Sequence, residues 1–220
     1  RDTSSQAYAY GPAVADNTWN HVAVTRSSNT VRVFVNGVSG SPVTISKTIT
    51  SRPTVIGGFF YTGFVSQFTG YISNLRILKG TALYTSNFTP PTAPLTAIAN
   101  TSLLTCQNNR FIDNSTNNFA ITVNGNTSIQ SFSPFNPTSI YSSSINGGSG
   151  YFDGTGDYLS IADNIALEAF DDFTIEGWVY FNSAADQQVI VTKGWDASST
   201  FSPYIIYTSS GNLVFSASTN

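Results

Sequence analysis

The chain has 220 residues, of which 40% are hydrophobic and only 10% are charged, and its formal net charge is -3. This length suits one large domain or two small ones, and it is sufficient for a core that needs no metal or disulfide. The charge argues against nucleic acid as a partner, and no apolar run approaches the ~20 residues of a membrane helix. A single cysteine and a single histidine exclude an internal disulfide and a multi-histidine metal site.

Strand signals run along the whole chain, while residues that favour helices are scarce. The clearest hairpin joins residues 21–26 to residues 31–35, whose valines alternate toward one face, and Asn36-Gly37 then gives a strong turn signal. The other predicted strands are 43–45, 54–58, 70–78, 102–106, 119–123, 150–152, 158–161, 173–181, 188–192, 204–208 and 213–218, and the only helix-like piece is 164–170. About a dozen short strands predict an all-β sandwich or barrel.

Two stretches interrupt this series of strands. Three prolines between residues 90 and 94 break the chain near residue 95. Residues 131–150 are rich in Ser, Pro, Asn and Gly, and loops of this length are often functional or connecting. Phe132 and Phe135 are among the apolar residues that can hold this loop on the core.

Several motifs resemble one family. Residues 18–26 (TWNHVAVTR) and 31–37 (VRVFVNG) resemble the core of the laminin-G-like, concanavalin A-like jelly rolls. Residues 82–91 resemble the C-terminal tail of these modules in phage and marine bacterial surface proteins. Residues 151–159 (YFDGTGDYL) and 172–179 (DFTIEGWV) resemble the N-terminal half of the family. The resemblance implies an all-β fold, an antiparallel jelly-roll β-sandwich.

The motifs stand in circularly permuted order, because the N-terminal half of the family pattern follows its C-terminal half. Residues 1–95 resemble the C-terminal half of a sandwich, residues 96–150 a linker with the first strands of the next half, and residues 151–220 the N-terminal half. The chain also lacks methionine, even at position 1, so we expect a processed product or a segment of something longer. It is interpreted as a fragment, one period of a tandem array or a natural permutant, and in an array neighbouring copies are its partners.

Paired carboxylates, which glycosidases require, are missing from these motifs. Glu168 and Glu176 are the only glutamates, and they do not form the Glu-x-Asp-x-(x)-Glu strand of laminarinase-type relatives on the same sandwich. We interpret Glu176 as a structural or solvent-facing carboxylate, His21 as a packed or half-exposed strand residue, and Cys106 as a small hydrophobe. We therefore expect no catalytic residue and no enzymatic activity.

The loop 153–157 (DGTGD) places Asp153 and Asp157 across a Gly-rich turn. Hard cations bind several oxygens from carboxylates and carbonyls on loops, and laminin-G-like relatives often bind calcium at a sandwich rim. Asp153 and Asp157 are therefore the candidate metal ligands. The alternative is turn chemistry, in which Asp and Gly stabilise a tight turn without any ion, so no cofactor is expected unless calcium binds here.

Strand alternation separates a core face from a second face in the strand that contains Glu176, Trp178 and Tyr180. His21 and Phe34 of the partner hairpin are expected beside them on the second face. Sugar rings stack on aromatic planes that have a few polar groups nearby, so these five are the candidate ligand-binding residues. The favoured alternative is a face covered by loops or by a neighbouring module, which makes its aromatic residues a second core.

Two functions follow from these patterns. The first is a non-enzymatic structural or adhesion repeat module of a virion fibre, a capsid decoration or an extracellular filament. The alternative is a carbohydrate-binding lectin module for surface glycans. Both place the chain outside the cell or on a virion surface, and they differ in whether the face with Trp178 is open to solvent. The fold itself does not choose between them, since one architecture hosts many functions.

Overall fold

The computed structural model describes residues 6–46, 52–61, 64–135, 142, 145–168, 171–184, 187–194 and 202–218. Its strands are β1 (Gln6–Ala13), β2 (Trp19–Ser27), β3 (Thr30–Val35), β4 (Val38–Ser39), β5 (Val43–Thr44), β6 (Thr54–Ile56), β7 (Gly58–Tyr61), β8 (Phe64–Gln67), β9 (Thr69–Lys79), β10 (Thr101–Thr105), β11 (Thr122–Asn124), β12 (Ser128–Gln130), β13 (Ser149–Asp153), β14 (Tyr158–Ile161), β15 (Phe173–Phe181), β16 (Val189–Lys193), β17 (Tyr204–Ser209) and β18 (Asn212–Ser218). A short 3-10 helix, Ile165–Leu167, lies between β14 and β15.

The described strands form two large antiparallel sheets and one small hairpin. Sheet A has seven strands in the order β1-β18-β17-β16-β6-β14-β11. Sheet B has nine strands, in the order β12-β13-β9-β15-β2-β3-β4 with β10 paired to β9 and β5 paired to β3. The small hairpin pairs β7 with β8. Two antiparallel layers around one core make a concanavalin A-like β-sandwich, so the predicted fold class is confirmed.

The core lies between the inward faces of the two sheets. Sheet B contributes Phe173, Ile175 and Val179 of β15 to it, and sheet A contributes Ile206 of β17 and Phe215 of β18. All five side chains are at most 2% exposed. Burial of one such side chain contributes about 1.5–3 kcal/mol. The alternation of apolar residues in these strands therefore determines which side of each strand turns inward.

Both ends of the sequence contribute strands to each sheet. In sheet B, β15 lies between β9 and β2, which come from the first part of the chain. In sheet A, β1 pairs with β18, and Gln6 stands opposite Ser218. Within the described residues, neither half forms a sandwich of its own. The boundaries at residues 95 and 150, and the array or permuted origin, stay predictions.

Most predicted strands agree with the structure, and β14 and β15 have the predicted bounds. The strand predicted at 119–123 is replaced by β11, which begins only at Thr122. The Phe119 N–H donates to the Asp113 carboxylate at 2.9 Å, so it does not pair with a neighbouring strand. The predicted helical piece is a single 3-10 turn over Ile165–Leu167, and residues 169–170 lie outside the described residues. In the part of the chain that the structure describes, no helix is long and apolar enough to cross a membrane.

The structure also contains strands that the sequence pattern did not predict, namely β1, β4, β7, β8 and β12. β1 contains Gly11 and Pro12, which are weak strand formers, and its pairing with β18 shifts register at that point. β4 forms because Asn36, with φ of 50°, and Gly37, with φ of 79°, make a tight two-residue turn after β3.

Candidate functional site

The candidate site lies on the outer face of sheet B, the face that points away from the core. A bulge in β9 that contains Asn74, with φ of 54°, shifts the pairing between β9 and β15. Because of this shift, Arg76 stands opposite Glu176 on the outer face, while Leu75 remains in the core. The bulge thus brings two opposite charges together on the middle strands of the sheet.

Glu176 is the centre of a buried polar network on this face. Its Oε1 accepts hydrogen bonds from Arg76 Nε at 3.0 Å and from Arg76 Nη2 at 2.6 Å. Its Oε2 accepts a hydrogen bond from the Tyr84 hydroxyl at 2.8 Å, and His21 Nε2 lies 3.3 Å from the same oxygen. Arg76 Nη1 donates to the Thr96 carbonyl at 2.8 Å. Groups of the chain itself therefore occupy both oxygens of the carboxylate.

Burial and neighbouring charges have opposite effects on the pKa of the Glu176 carboxyl. Burial raises its pKa, but the adjacent His21 imidazole and the positive charge of Arg76 outweigh burial and hold the pKa below its ordinary value of 4.5. Burial and the charge of Glu176 raise the pKa of the Tyr84 hydroxyl well above its ordinary value. Glu176 is therefore ionised at neutral pH and Tyr84 is a neutral donor. A glycosidase acid has a raised pKa, which is the opposite of what Glu176 shows.

Residues 81–95, called the cover segment below, have no regular secondary structure and pack on the outer face of sheet B. The rings of Tyr84 and Phe88 stack with centroids 3.5 Å apart and an angle of 4° between their planes. Phe88 also packs edge-on against His21 and Phe34, at centroid distances of 5.6 and 5.3 Å. The stacked pair separates the Glu176 network from solvent.

Hydrogen bonds to the backbone fix the cover segment on the sheet. The Thr25 hydroxyl donates to the Tyr84 carbonyl at 2.7 Å. The Phe88 N–H donates to the Gly37 carbonyl at 3.0 Å, at the turn that follows β3. Glycine is required at position 37, because φ is +79° and an added Cβ would lie 1.9 Å from the Phe88 carbonyl oxygen.

The structure brings the predicted ligand-binding residues to one face, but three of them are covered. Glu176, His21 and Phe34 are at most 1% exposed beneath the cover segment. Trp178 and Tyr180 are half-buried. Around the first three residues the face is a second core, as in the alternative drawn from the sequence. Ligand binding by these five stays a prediction, and direct contact with the first three requires the cover segment to move.

Trp178 and Tyr180 belong to the part of the outer face that the cover segment leaves half-buried. Trp178 packs against Phe135 with ring centroids 5.6 Å apart, and Phe135 is buried. Tyr180 is surrounded by three half-buried aromatic residues at centroid distances of 5.0 to 5.7 Å, namely Phe132, Trp19 and Tyr71. The loop residues Phe132 and Phe135 therefore pack on the outer face of sheet B.

The carboxylates of the predicted calcium loop are bonded to nearby backbone. Asp157 is buried, and its two oxygens accept hydrogen bonds from the N–H groups of Asn126 and Asp153. Asp153 Oδ1 accepts one from the Thr155 N–H at 2.6 Å. This is turn chemistry. Among the described residues, no group of three or more His, Cys, Asp or Glu side chains could hold a metal ion, and calcium at this loop stays a prediction.

A second site, on the outer face of sheet A, was missed by the sequence analysis. Tyr8 of β1 and Tyr207 of β17, both half-buried, line a cleft of about 100 Å³. Gln6 and Gln187 contribute amide groups to the same cleft, and Phe59 of β7 contributes a further ring. All described residues that line it are uncharged. The cleft thus combines aromatic rings with neutral hydrogen-bonding groups.

The sequence contained part of the signal for this cleft. In β17, Tyr207 and Ser209 alternate with the buried Ile206 and Thr208, which already places Tyr207 on the outer side. The missing part was β1, since Gly11 and Pro12 weaken its strand pattern. Tyr8 could not be placed beside the other lining residues without that strand.

Residues 1–85 match the family model described as the concanavalin A-like lectin/glucanases superfamily. The match covers less than half of the chain, but the β-sandwich includes strands from both parts. The resemblance to a laminin-G-like, concanavalin A-like jelly roll is therefore confirmed. Comparison with the curated proteins and with the solved structures found no match. Laminin-G-like domains are typically extracellular and generally non-enzymatic, and such a module can bind carbohydrates or mediate adhesion.

Proposed function

We propose that the chain is a non-enzymatic structural or adhesion module, repeated in a virion fibre, a capsid decoration or an extracellular filament. The observation that supports this proposal is that both carboxylate oxygens of Glu176 accept hydrogen bonds from the chain itself. Arg76 and Tyr84 bond both of its oxygens inside a covered face. A carboxylate whose two oxygens are bonded within the chain beneath the cover segment suits a structural role better than a catalytic one.

Use as a repeat is supported by the pairing of β1 with β18. Gln6 and Ser218 face each other on adjacent antiparallel strands. In a tandem array, β18 of one period would lead into β1 of the next, and the same pairing would then join consecutive periods. Neighbouring copies are therefore the proposed partners, and stability in such arrays includes a contribution from each interface between neighbours.

The test compares the single chain with two copies joined in one polypeptide. If neighbouring copies pack on each other, the joined pair unfolds in urea at a higher midpoint than the single chain. Both proteins are also incubated with surface polysaccharides, and no sugar product is expected. Unfolding of the pair at the midpoint of the single chain would contradict the repeat, and release of a sugar product would contradict the non-enzymatic module.

A carbohydrate-binding lectin module for surface glycans is the second candidate, and the cleft on sheet A favours it. Tyr8 and Tyr207 offer ring faces, and Gln6 and Gln187 offer amides beside them. The described residues that line this cleft carry no charge, which suits a neutral sugar. This candidate moves the glycan site from the face with Trp178 to the opposite sheet.

A further inference from the structure

Lys193 at the end of β16 is a fully buried lysine, with 0% of its side chain exposed. Lysine is almost never fully buried unless it is paired, because an ammonium group loses its hydration in the interior. A buried ion pair seldom stabilises a fold more than apolar residues of the same size would. The position of Lys193 therefore calls for an explanation beyond packing.

Two oxygens lie close to the Lys193 amine. Nζ donates to the Arg52 carbonyl at 2.7 Å and lies 3.2 Å from Asp163 Oδ1. Asp163 follows β14, whereas Lys193 lies in β16, and β6 runs between these two strands in sheet A. The lysine side chain thus passes over the intervening strand to reach a carboxyl group beyond it.

The surroundings of this pair favour a reactive amine. Burial lowers the pKa of Lys193 below its ordinary value, although the carboxylates of Asp163 and Glu168 oppose this and Lys79 adds to it. A neutral amine is a nucleophile. Asp163 is 35% exposed, which leaves a path for water to escape.

We propose that Lys193 and Asp163 form an intramolecular isopeptide bond, which cross-links β16 to the end of β14. One proton passes from the Lys193 ammonium to Asp163 Oδ1, 3.2 Å away, and the neutral Nζ then attacks Cγ, so that the new Nζ–Cγ bond replaces a Cγ–O bond. The hydroxyl that leaves Cγ and a proton that leaves Nζ depart together as water. No oxidant, reductant or further reactant is needed. The bond concerns the chain itself and does not depend on the proposed function.

The first measurement is the intact mass of the denatured wild-type chain. An isopeptide bond lowers the mass by about 18 Da relative to the mass of the sequence, because one water is lost. The full mass of the sequence after complete folding would overturn the proposal and leave an ion pair. This measurement needs no variant, so a failure of any variant to fold does not affect it.

A digest then locates the loss of water. Because Glu168 and Glu176 are the only glutamates, cleavage after glutamate gives the pieces 1–168, 169–176 and 177–220. The proposal predicts that piece 1–168 stays joined to piece 177–220 and that piece 169–176 is released. A lighter but separate piece 1–168 would indicate a cyclised aspartate instead and would overturn the cross-link.

Two variants test the roles of Lys193 and Asp163. Lys193→Met keeps an unbranched side chain but no amine, and it should have the full mass of its sequence. Asp163→Asn supplies an amide instead, so ammonia leaves and the mass falls by about 17 Da. A loss of water that persists in Lys193→Met would overturn the proposal.

Discussion

The outer faces of the two sheets differ in what lies over them. On sheet B, Glu176 and Arg76 are buried beneath the cover segment, and Tyr84 completes their hydrogen bonds. On sheet A, Tyr8 and Tyr207 line a cleft whose described lining residues are all uncharged. Aromatic residues on the outer side of a strand therefore do not by themselves identify a binding face. The packing of another segment over them decides whether they form a core or a site.

The comparison also shows why the charges lie where they do. A carboxylate and a guanidinium on an open face would be hydrated and would contribute little to stability. Beneath the cover segment the same two groups lose water, so their hydrogen bonds must come from other groups of the chain. Glu176 has partners on β9 and on the cover segment, and the network therefore joins the segment to the sheet.

The substitution Glu176→Gln should have the largest effect on stability. It leaves the Arg76 guanidinium buried without its countercharge, which costs about 3–5 kcal/mol. The matched change on the other face, Tyr207→Thr, retains a residue that favours strands and should cost about 1 kcal/mol or less. Urea unfolding measures both free energies. Equal losses in the two variants would show that the cover segment does not distinguish the two faces.

A smaller effect is expected when the wild type is acidified. Because the pKa of Glu176 is lowered on folding, its contribution to stability is complete above the ordinary pKa of 4.5 and is lost as the pH falls through the lowered value. The difference in unfolding free energy between wild type and Glu176→Gln should therefore be constant from pH 7 to about 5 and shrink at lower pH. Subtracting the unfolding free energy of the variant from that of the wild type cancels the contributions of the other carboxylates, which both proteins share. A difference that grows on acidification would contradict the assigned charge state.

Local patterns in the sequence were sufficient to predict most of the fold. The alternation of Phe173, Ile175 and Val179 determines the inward side of β15 without any knowledge of its neighbours. The turn at Asn36-Gly37 is equally local, because both residues adopt a positive φ readily. Such features depend on residues next to one another in the chain.

The candidate sites depend on contacts that no local pattern reveals. The cover segment has no periodicity, and its Phe88 meets His21 and Phe34 only after the sheet has formed. The pairing of Arg76 with Glu176 depends on the register between β9 and β15, and the bulge that contains Asn74 changes that register. The charges were visible in the sequence, but their partners were not.

The smallest effect on stability, and the clearest on binding, is expected for Tyr207→Thr in the cleft of sheet A. If the cleft binds a neutral sugar, losing this ring should abolish the signal of the wild type on a glycan array, since ring stacking is lost. The matched variant on sheet B, Trp178→Ala, should retain the signal, because Trp178 lies on the opposite sheet. Unfolding midpoints measured in parallel show that loss of signal is not loss of fold. If Trp178→Ala loses the signal while Tyr207→Thr retains it, the glycan site lies on the face predicted from the sequence and not in the cleft.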